Sequence, residues 1–218
     1  MFVHFYDNNG QNCDTFRRCP YIIFNQVECN EQFRHERNIN ESEFANLIQN
    51  ESKSVQRVAS LYRHHHHYDI LSGNKLVSGE GLFEHVERMC RSTNVSAFVF
   101  DWDRTLQPYE SMRTQTFTFT KNKYGKRDFS RALAIYHAGG LERFQKIRRM
   151  FTIINNCHKK VCIVTGNPAI LTKGRDMYKH ILEEWGIIPV YLAYAHDKYA
   201  FMAQDKFLQS VSGPMLRY

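Results

Sequence analysis

The sequence has no apolar run close to the 18 residues that a membrane-spanning helix needs, and no leader typical of a signal peptide. It has no CxxC pair and no tract biased enough in composition to prevent burial. Hydrophobic residues nevertheless make up 43% and aromatic residues 14% of its 218 residues. We therefore expect a soluble, intracellular chain with one core of ordinary size.

The six cysteines leave two interpretations open. Cys162 lies inside an apolar run, where a buried free thiol is usual. A zinc ion could instead be held by Cys13, Cys19 or Cys29 together with the tract His64–His67. Four adjacent histidines cannot all point at one ion, so an exposed loop is the simpler interpretation of that tract.

The formal net charge is +7, which favours anionic partners on average. The densest basic clusters are Lys121–Arg127 and Arg143–Arg149. Basic residues scattered over a helix face are usually just solvated. Nucleic-acid binding is therefore an open alternative rather than a conclusion.

Short apolar strands alternate with amphipathic helices from Gly81 onward. The periodicity predicts helices over 81–92, 141–157, about 170–185 and about 198–210, and strands over 95–100, 161–164 and 188–194. Two earlier apolar runs, 2–6 and 20–28, predict two more strands. This order is typical of an α/β fold: a doubly wound, Rossmann-like parallel sheet with helices on both faces.

Two segments stand apart from this alternation. Residues 114–129 alternate in polarity and turn at Gly125, which predicts a β-hairpin. Residues 29–80 are polar and charged, and we interpret them as a connecting region without an assigned role. The chain is thus divided into 1–28, the connecting region 29–80, and a core over 81–218 that carries the hairpin.

Polar residues end three of the predicted strands: Asp101, Thr165 and the segment His196–Lys198. In parallel α/β sheets the chemistry lies beyond the carboxyl ends of the strands. Agreement between three separate strand ends is the main reason to expect a functional site there.

Asp101 and Asp103 are two carboxylates at i and i+2, directly after a strand. Two such charges in one cleft are costly unless a proton or a cation is shared between them, and Mg²⁺ meets that need. Asp101 could then attack phosphorus to form an aspartyl-phosphate. Asp103 could protonate the leaving oxygen and later deprotonate water. The alternative is an ordinary acidic turn.

The run FVFDWDRTL resembles the first motif of the haloacid dehalogenase (HAD) superfamily, DxDx[TV]L. Within it, the form FDWDRTL resembles phosphatase-like proteins of large DNA viruses that are related to the NIF/NLI-interacting, polymerase-tail phosphatases. The resemblance implies a Mg²⁺-dependent phosphatase with Asp101 as nucleophile and Asp103 as acid/base. It also implies that Thr105 contributes to substrate binding.

The run VCIVTGN is similar to the second HAD motif, a strand that ends in Thr or Ser. The resemblance implies that the Thr165 hydroxyl and the Gly166 amide bind the transferring phosphoryl group, with Asn167 beside them. A threonine that closes a strand is common, so the position after the first motif carries much of this interpretation.

The third HAD motif is a lysine before or within the next helix. Lys198, directly after the strand IPVYLAY, fits best, and the resemblance implies that it binds phosphate and balances the charge of the nucleophile. Lys206 and Lys173 are the alternatives, and each could be an ordinary solvated helix lysine.

The fourth HAD motif is an acidic pair at a strand end, often with a following Asn, and no such strand follows Lys198. One interpretation is an impaired enzyme. The other is circular permutation, because the amino-terminal FVHFYDNNGQN has the required form, with Asp7 and Asn8 as the pair and Asn12 at the expected offset. The strands would then occur in the chain order fourth, fifth, first, second, third, and Asp101, Asp103, Asp7 and Asn8 would hold the magnesium. A plain Asx turn is the alternative.

The span between Thr105 and Thr165 is too short for a large cap domain, so we expect a small cap or none. An open site suits a phosphoprotein substrate better than a small metabolite. Two alternatives stay open: a weak or inactive HAD-fold virion or scaffold protein with capsid partners, and a nucleic-acid end phosphatase. A viral protein of this kind would act in the host cytoplasm or nucleus, or be associated with the virion.

Overall fold

The computed structural model describes residues 1–16, 19–28, 75–107, 131, 134–135, 137–138, 141–171 and 174–212. The predicted hairpin over 114–129, the histidine tract, Cys29, Lys173 and nearly all of the connecting region lie outside the described residues. No helix within the described ranges is long and apolar enough to cross a membrane.

Five strands form one all-parallel sheet in the order β2-β1-β3-β4-β5. They are β1 (Phe2–Asp7), β2 (Ile22–Gln26), β3 (Val95–Phe100), β4 (Lys160–Thr165) and β5 (Tyr191–Tyr194). The predicted α/β class and parallel sheet are confirmed.

Helices cover both faces of this sheet, as a doubly wound architecture requires. They are α1 (Gln11–Phe16), α2 (Leu82–Cys90), α3 (Leu141–Asn156), α4 (Gly174–Trp185), α5 (Lys198–Met202) and α6 (Asp205–Ser212), with a 3₁₀ turn at Pro168–Leu171. Buried residues of α2, α3 and α4 pack together on one face. Buried residues of α1, α5 and α6 pack on the other.

The central strands are largely apolar because both of their faces are buried, although β1 contains His4 and β3 contains Ser96. On β3, Phe98 and Phe100 pack against the α2–α3–α4 layer, while Val99 packs against the α1–α5–α6 layer. Cys162 on β4 belongs to the second layer and is a buried free thiol, as expected.

Two predicted elements differ from the structure at the carboxyl-terminal side. The strand predicted over 188–194 begins only at Tyr191; Ile188 is 87% exposed, and Pro189 has no backbone N–H to donate. The helix predicted over 198–210 is two helices, because α5 ends at its C-cap residue Ala203 and α6 begins at Asp205.

The strand order reverses between β1 and β3, since β2 lies on one side of β1 and β4 lies beyond β3. Such a switch point leaves a crevice outside the carboxyl ends of the two strands, which is where doubly wound sheets bind ligands. Asp7 ends β1 and Asp101 follows β3, so both acidic residues border this crevice.

Candidate active site

Asp7 and Asp101 share one lysine across the switch point. Lys198 Nζ lies 2.8 Å from Asp7 Oδ2 and 2.8 Å from Asp101 Oδ1, so the two carboxylate oxygens lie within twice that distance of each other. Asp7 is fully buried, Asp101 is 4% exposed and the Lys198 side chain is 12% exposed. The fold thus joins residues from the start, middle and end of the chain.

The turn after β1 holds Asp7 in place. The backbone N–H of Asn9 donates to Asp7 Oδ1 at 2.8 Å, and Asn12 Nδ2 donates to Asp7 Oδ2 at 2.9 Å. An Asx turn is therefore present, but the same carboxylate also pairs with Lys198, so the turn and the site coexist. The half-buried Asn8 makes no hydrogen bond within the described part of the chain.

The loop after β3 is tightly wound. The Asp101 N–H donates to the Tyr6 carbonyl at 2.9 Å, which joins this loop to β1. The Trp102 carbonyl then accepts from the N–H groups of Thr105, Leu106 and Gln107 at 3.0–3.4 Å. The turn places Arg104 at φ 58°, in the left-handed region.

Aromatic packing against α4 also holds this loop in place. Trp102 is fully buried and stacks on Trp185 with ring centroids 5.2 Å apart, while Tyr178 meets it edge-on at 4.6 Å. The residue between the two site aspartates is therefore a core residue, and its side chain does not face a ligand.

A buried arginine also holds this loop. Arg143 Nη2 donates to the Thr105 carbonyl at 3.0 Å, and Nη1 donates to the carbonyls of Leu106 and Ala138. Arg143 is 3% exposed, so it is not a solvated member of the basic cluster, whereas Arg148 and Arg149 are exposed. Thr105 is fully buried, and its hydroxyl has no hydrogen-bond partner within the described residues.

Asp103 is bound at both carboxylate oxygens by side-chain amides. Gln107 Nε2 donates to Oδ1 at 2.5 Å, and Asn167 Nδ2 donates to Oδ2 at 3.3 Å. Gln107 Oε1 in turn lies 2.8 Å from His137 Nδ1. Gln107 and His137 were missed from the sequence, although Gln107 follows Asp103 at a spacing that allows contact within one turn.

Thr165 ends β4 at the same edge of the sheet. Phe100 pairs with Ile163 in the parallel register, so Asp101 and Thr165 both emerge at the carboxyl ends of neighbouring strands. Thr165 is fully buried, its Oγ1 accepts from the Asn167 N–H at 3.1 Å, and Gly166 beside it is exposed. Asn167 therefore links this strand end to Asp103.

Burial dominates the electrostatics of the site. Desolvation, together with the charge of Asp7, raises the pKa of Asp101 to about 8, although Lys198 opposes this shift. Burial lowers the pKa of Lys198, but Asp101 and Asp7 outweigh that effect and hold it above its ordinary value. When Asp101 is ionised, two carboxylates share one ammonium, and an additional cation would balance the remaining negative charge.

The oxygen atoms available here fit a divalent cation of the Mg²⁺ type, which prefers carboxylate and carbonyl oxygens and retains water. Asp101 Oδ2 and the Asn8 side chain have no hydrogen bond within the described residues. No three His, Cys, Asp or Glu side chains converge as metal ligands in those residues. A bound ion would therefore need backbone or amide oxygens, or water, besides carboxylates.

Of the residues predicted from the sequence, Asp7, Asp101 and Lys198 are in direct contact, and Asp103 joins Thr165 through Asn167. The rival Lys206 is exposed on α6.

Comparison of the chain with protein-family models, with curated proteins and with solved structures gives no match.

Proposed function

We propose that this chain is a Mg²⁺-dependent phosphomonoester hydrolase of the HAD type that forms an aspartyl-phosphate on Asp101. The observation that carries the proposal is the sharing of Lys198 by Asp101 and Asp7. The motif resemblance assigned these three residues to one centre, although they are separated along most of the chain. A chance acidic turn would not require that arrangement.

We further propose that the fold is a HAD-like core in circularly permuted order, with β1 and β2 as the family's fourth and fifth strands. The position of β1 beside β3 supports this, since it brings the Asp7–Asn8 turn to the nucleophile. The start of β1 and the end of α6 also both lie at the amino-terminal ends of the strands. Phe2 N bonds to Asn94 O just before β3, and Lys160 Nζ at the start of β4 bonds to Ser210 O.

The proposed reaction has two steps. An Asp101 carboxylate oxygen attacks phosphorus and forms a new P–O bond while the ester P–O bond breaks, and Asp103 gives a proton to the leaving oxygen. Asp103 then takes a proton from water, whose oxygen attacks phosphorus and releases phosphate and free Asp101. Lys198 and Thr165 hold the phosphoryl oxygens, with Thr165 assisted by Gly166.

Mg²⁺, when bound, supplies neutralisation of the phosphate charge beside the nucleophile. Asp101, the Asp103 backbone carbonyl and Asp7 or Asn8 would hold it. Both oxygens of Asp7 already accept hydrogen bonds, Oδ1 from the Asn9 N–H and Oδ2 from Asn12 and Lys198, so Asn8 is the better candidate for the third ligand.

A phosphoprotein is the substrate class that we favour. The short sequence between Thr105 and Thr165 leaves little room for a large cap, and the net charge of +7 favours an anionic macromolecule. A phosphorylated nucleic-acid end is the competing substrate. It is tested by asking whether DNA or RNA ends compete with a phosphopeptide for turnover.

The test of the function compares the wild type, Asp101→Asn and Asp176→Asn with an aryl phosphate, in Mg²⁺ and in EDTA. Asp176 is an exposed carboxylate on α4 and serves as the matched control. We expect Mg²⁺-dependent turnover by the wild type and by the control, and none by Asp101→Asn. Hydrolysis retained by a folded Asp101→Asn variant would remove the nucleophile assignment. A wild type that binds Mg²⁺ but never turns over would favour the scaffold alternative.

A further inference from the structure

A line of side chains leads from Asp103 into the interior of the protein. Gln107 Nε2 contacts Asp103 Oδ1 at 2.5 Å, and Gln107 Oε1 contacts His137 Nδ1 at 2.8 Å. Gln107 is 1% exposed and His137 is 2% exposed. The proposed reaction assigns no role to either residue, yet both are fixed behind its acid/base.

The donor and acceptor roles of the Gln107 amide follow from its two neighbours, Asp103 and His137. An Asp103 oxygen that carries no proton can only accept, so the Gln107 NH₂ group faces Oδ1, and the proton of the acid form is then on Oδ2. Gln107 Oε1 then needs a donor, and His137 provides one when its proton is on Nδ1. Burial lowers the pKa of His137 to about 3, so the ring is neutral. The Gln107 amide is therefore oriented from both sides.

A second contact holds the other oxygen of the same carboxylate. Asn167 Nδ2 donates to Asp103 Oδ2 at 3.3 Å, and the Asn167 N–H is itself bound to Thr165 Oγ1. The contact from Gln107 is shorter than the contact from Asn167. Two amides on opposite oxygens restrict rotation of the Asp103 carboxylate about its side-chain torsions.

We propose that Gln107, anchored by His137, is a positioning residue that aims the Asp103 carboxylate at the leaving-group oxygen of the phosphoester. This inference rests on the proposed phosphatase function. Proton transfer requires a short, aligned contact, and displacement of a catalytic group by about 1 Å can cost roughly 100-fold in rate. Gln107 does not itself touch the substrate.

This role predicts a dependence on the leaving group. A phenol of low pKa departs without much protonation, whereas an alcohol or a phenol of high pKa needs the proton of Asp103. Loss of Gln107 should therefore lower kcat/KM about 10- to 100-fold for poor leaving groups and about 3-fold or less for good ones. KM should change little, because the binding groups Lys198 and Thr165 are untouched.

The experiment measures kcat/KM for a series of substituted phenyl phosphates with Mg²⁺, for wild type, Gln107→Leu and Gln107→Glu. Gln107→Leu removes the hydrogen bonds to Asp103 and His137, while Gln107→Glu keeps the shape but presents an oxygen to Asp103. Gln145→Leu is the matched control, since Gln145 is exposed on α3. Thermal unfolding of each variant checks that it is folded.

A steeper dependence on leaving-group pKa in the Gln107 variants, with a wild-type slope in Gln145→Leu, supports the inference. An unchanged slope in a folded Gln107→Leu overturns it, and so does an equal loss for every substrate, which indicates general damage to the site. If Gln107→Leu does not fold, the slope of Gln107→Glu decides in the same way. An active wild type with unaffected variants overturns this inference alone, whereas an inactive wild type overturns the proposed function as well.

Discussion

Replacement of Asp101 by Asn should stabilise the metal-free protein at pH 8, even though it should abolish turnover. Asp101 is buried beside Asp7, and only Lys198 balances the two carboxylates. An ionised Asp101 therefore lowers the free energy of unfolding, whereas the neutral amide of Asn carries no such cost. Catalytic groups are often kept in such unfavourable surroundings because their reactivity depends on them.

The size of the effect follows from the pKa. Burial and Asp7 raise the pKa of Asp101 from 3.8 to about 8. Each pH unit between the folded and unfolded values corresponds to about 1.4 kcal/mol, so the ceiling is about 6 kcal/mol. The introduced NH₂ group must fit beside the Lys198 ammonium, which takes back part of this gain. We expect a net stabilisation of about 2–4 kcal/mol, or roughly 5–15 °C in Tm for a chain of this length.

The sign of the pH dependence is fixed by the same shift. A carboxyl group whose folded pKa lies above its unfolded pKa contributes stability that is fully present below the unfolded value, near pH 4. That contribution is lost as the pH rises through the folded value, near pH 8. The difference between Asp101→Asn and the wild type should therefore be small at pH 4 and should grow up to pH 8.

Thermal and urea unfolding in EDTA, from pH 4 to pH 8, measure this difference, with Asp176→Asn as the exposed control. If Asp101 is a magnesium ligand as proposed, added Mg²⁺ should stabilise the wild type at pH 8 and have much less effect on Asp101→Asn. A variant that is no more stable than the wild type at pH 8 would refute the reasoning. So would a gain of the same size at pH 4.

Three further changes test other parts of the structure. Arg143→Ala removes the donor from three carbonyls and should lower the free energy of unfolding in urea by about 3 kcal/mol or more. The control Arg148→Ala, at an exposed position on the same helix, should lower it by less than about 0.5 kcal/mol. Equal losses in the two variants would contradict the assigned contacts. Lys198→Met leaves two buried carboxylates without their cation and should cost about 3–5 kcal/mol in metal-free buffer at pH 8, whereas the exposed Lys206→Met should be nearly neutral. Burial lowers the pKa of His4 to about 4, so protonation of this residue should lower the free energy of unfolding of the wild type by about 3 kcal/mol as the pH falls from 6.5 to 4. His4→Phe should make the stability less dependent on pH in this range. An unchanged pH dependence would exclude His4 as its source.

The sequence was sufficient to locate the strands, although not the start of β5, because strands buried on both faces are largely apolar. The run ending at Phe100 therefore has clear bounds, and the polar residue that follows it, Asp101, is conspicuous. Lys198 could be preferred over Lys206 for a related reason, because it follows a strand end directly whereas Lys206 lies farther along a helix. The local apolar pattern and the position after a strand end were therefore enough to predict Asp101 and Lys198 as site residues.

Contacts that depend on tertiary packing could not be predicted in this way. Gln107 and His137 meet only because the loop after β3 packs against the segment that precedes α3. Arg143 occurs in a basic cluster with Arg148, and only its spacing from Ile147 and Met150 places it on the buried face of α3; that spacing does not indicate what the guanidinium binds. The carbonyl groups that Arg143 binds belong to the backbone, which leaves no trace in the sequence pattern.

The proposed permutation predicts that the chain can be reopened elsewhere. A variant that begins at Lys75, continues to Tyr218, passes through a short Gly/Ser linker to Met1 and ends at Asn74 would place β1 and β2 after α6. Ser210 of α6 contacts Lys160 at the start of β4, and β4 is separated from β1 by β3 alone, which is about 10 Å across the sheet, so a short added loop should cost little to close. We expect a folded protein within about 2 kcal/mol of the wild type, with unchanged Mg²⁺-dependent turnover. Opening the chain instead between Phe100 and Asp101 should prevent folding, because it separates β3 from the loop that Trp102 anchors. Failure of the Lys75 variant to fold, beside a stable wild type, would count against the permuted arrangement.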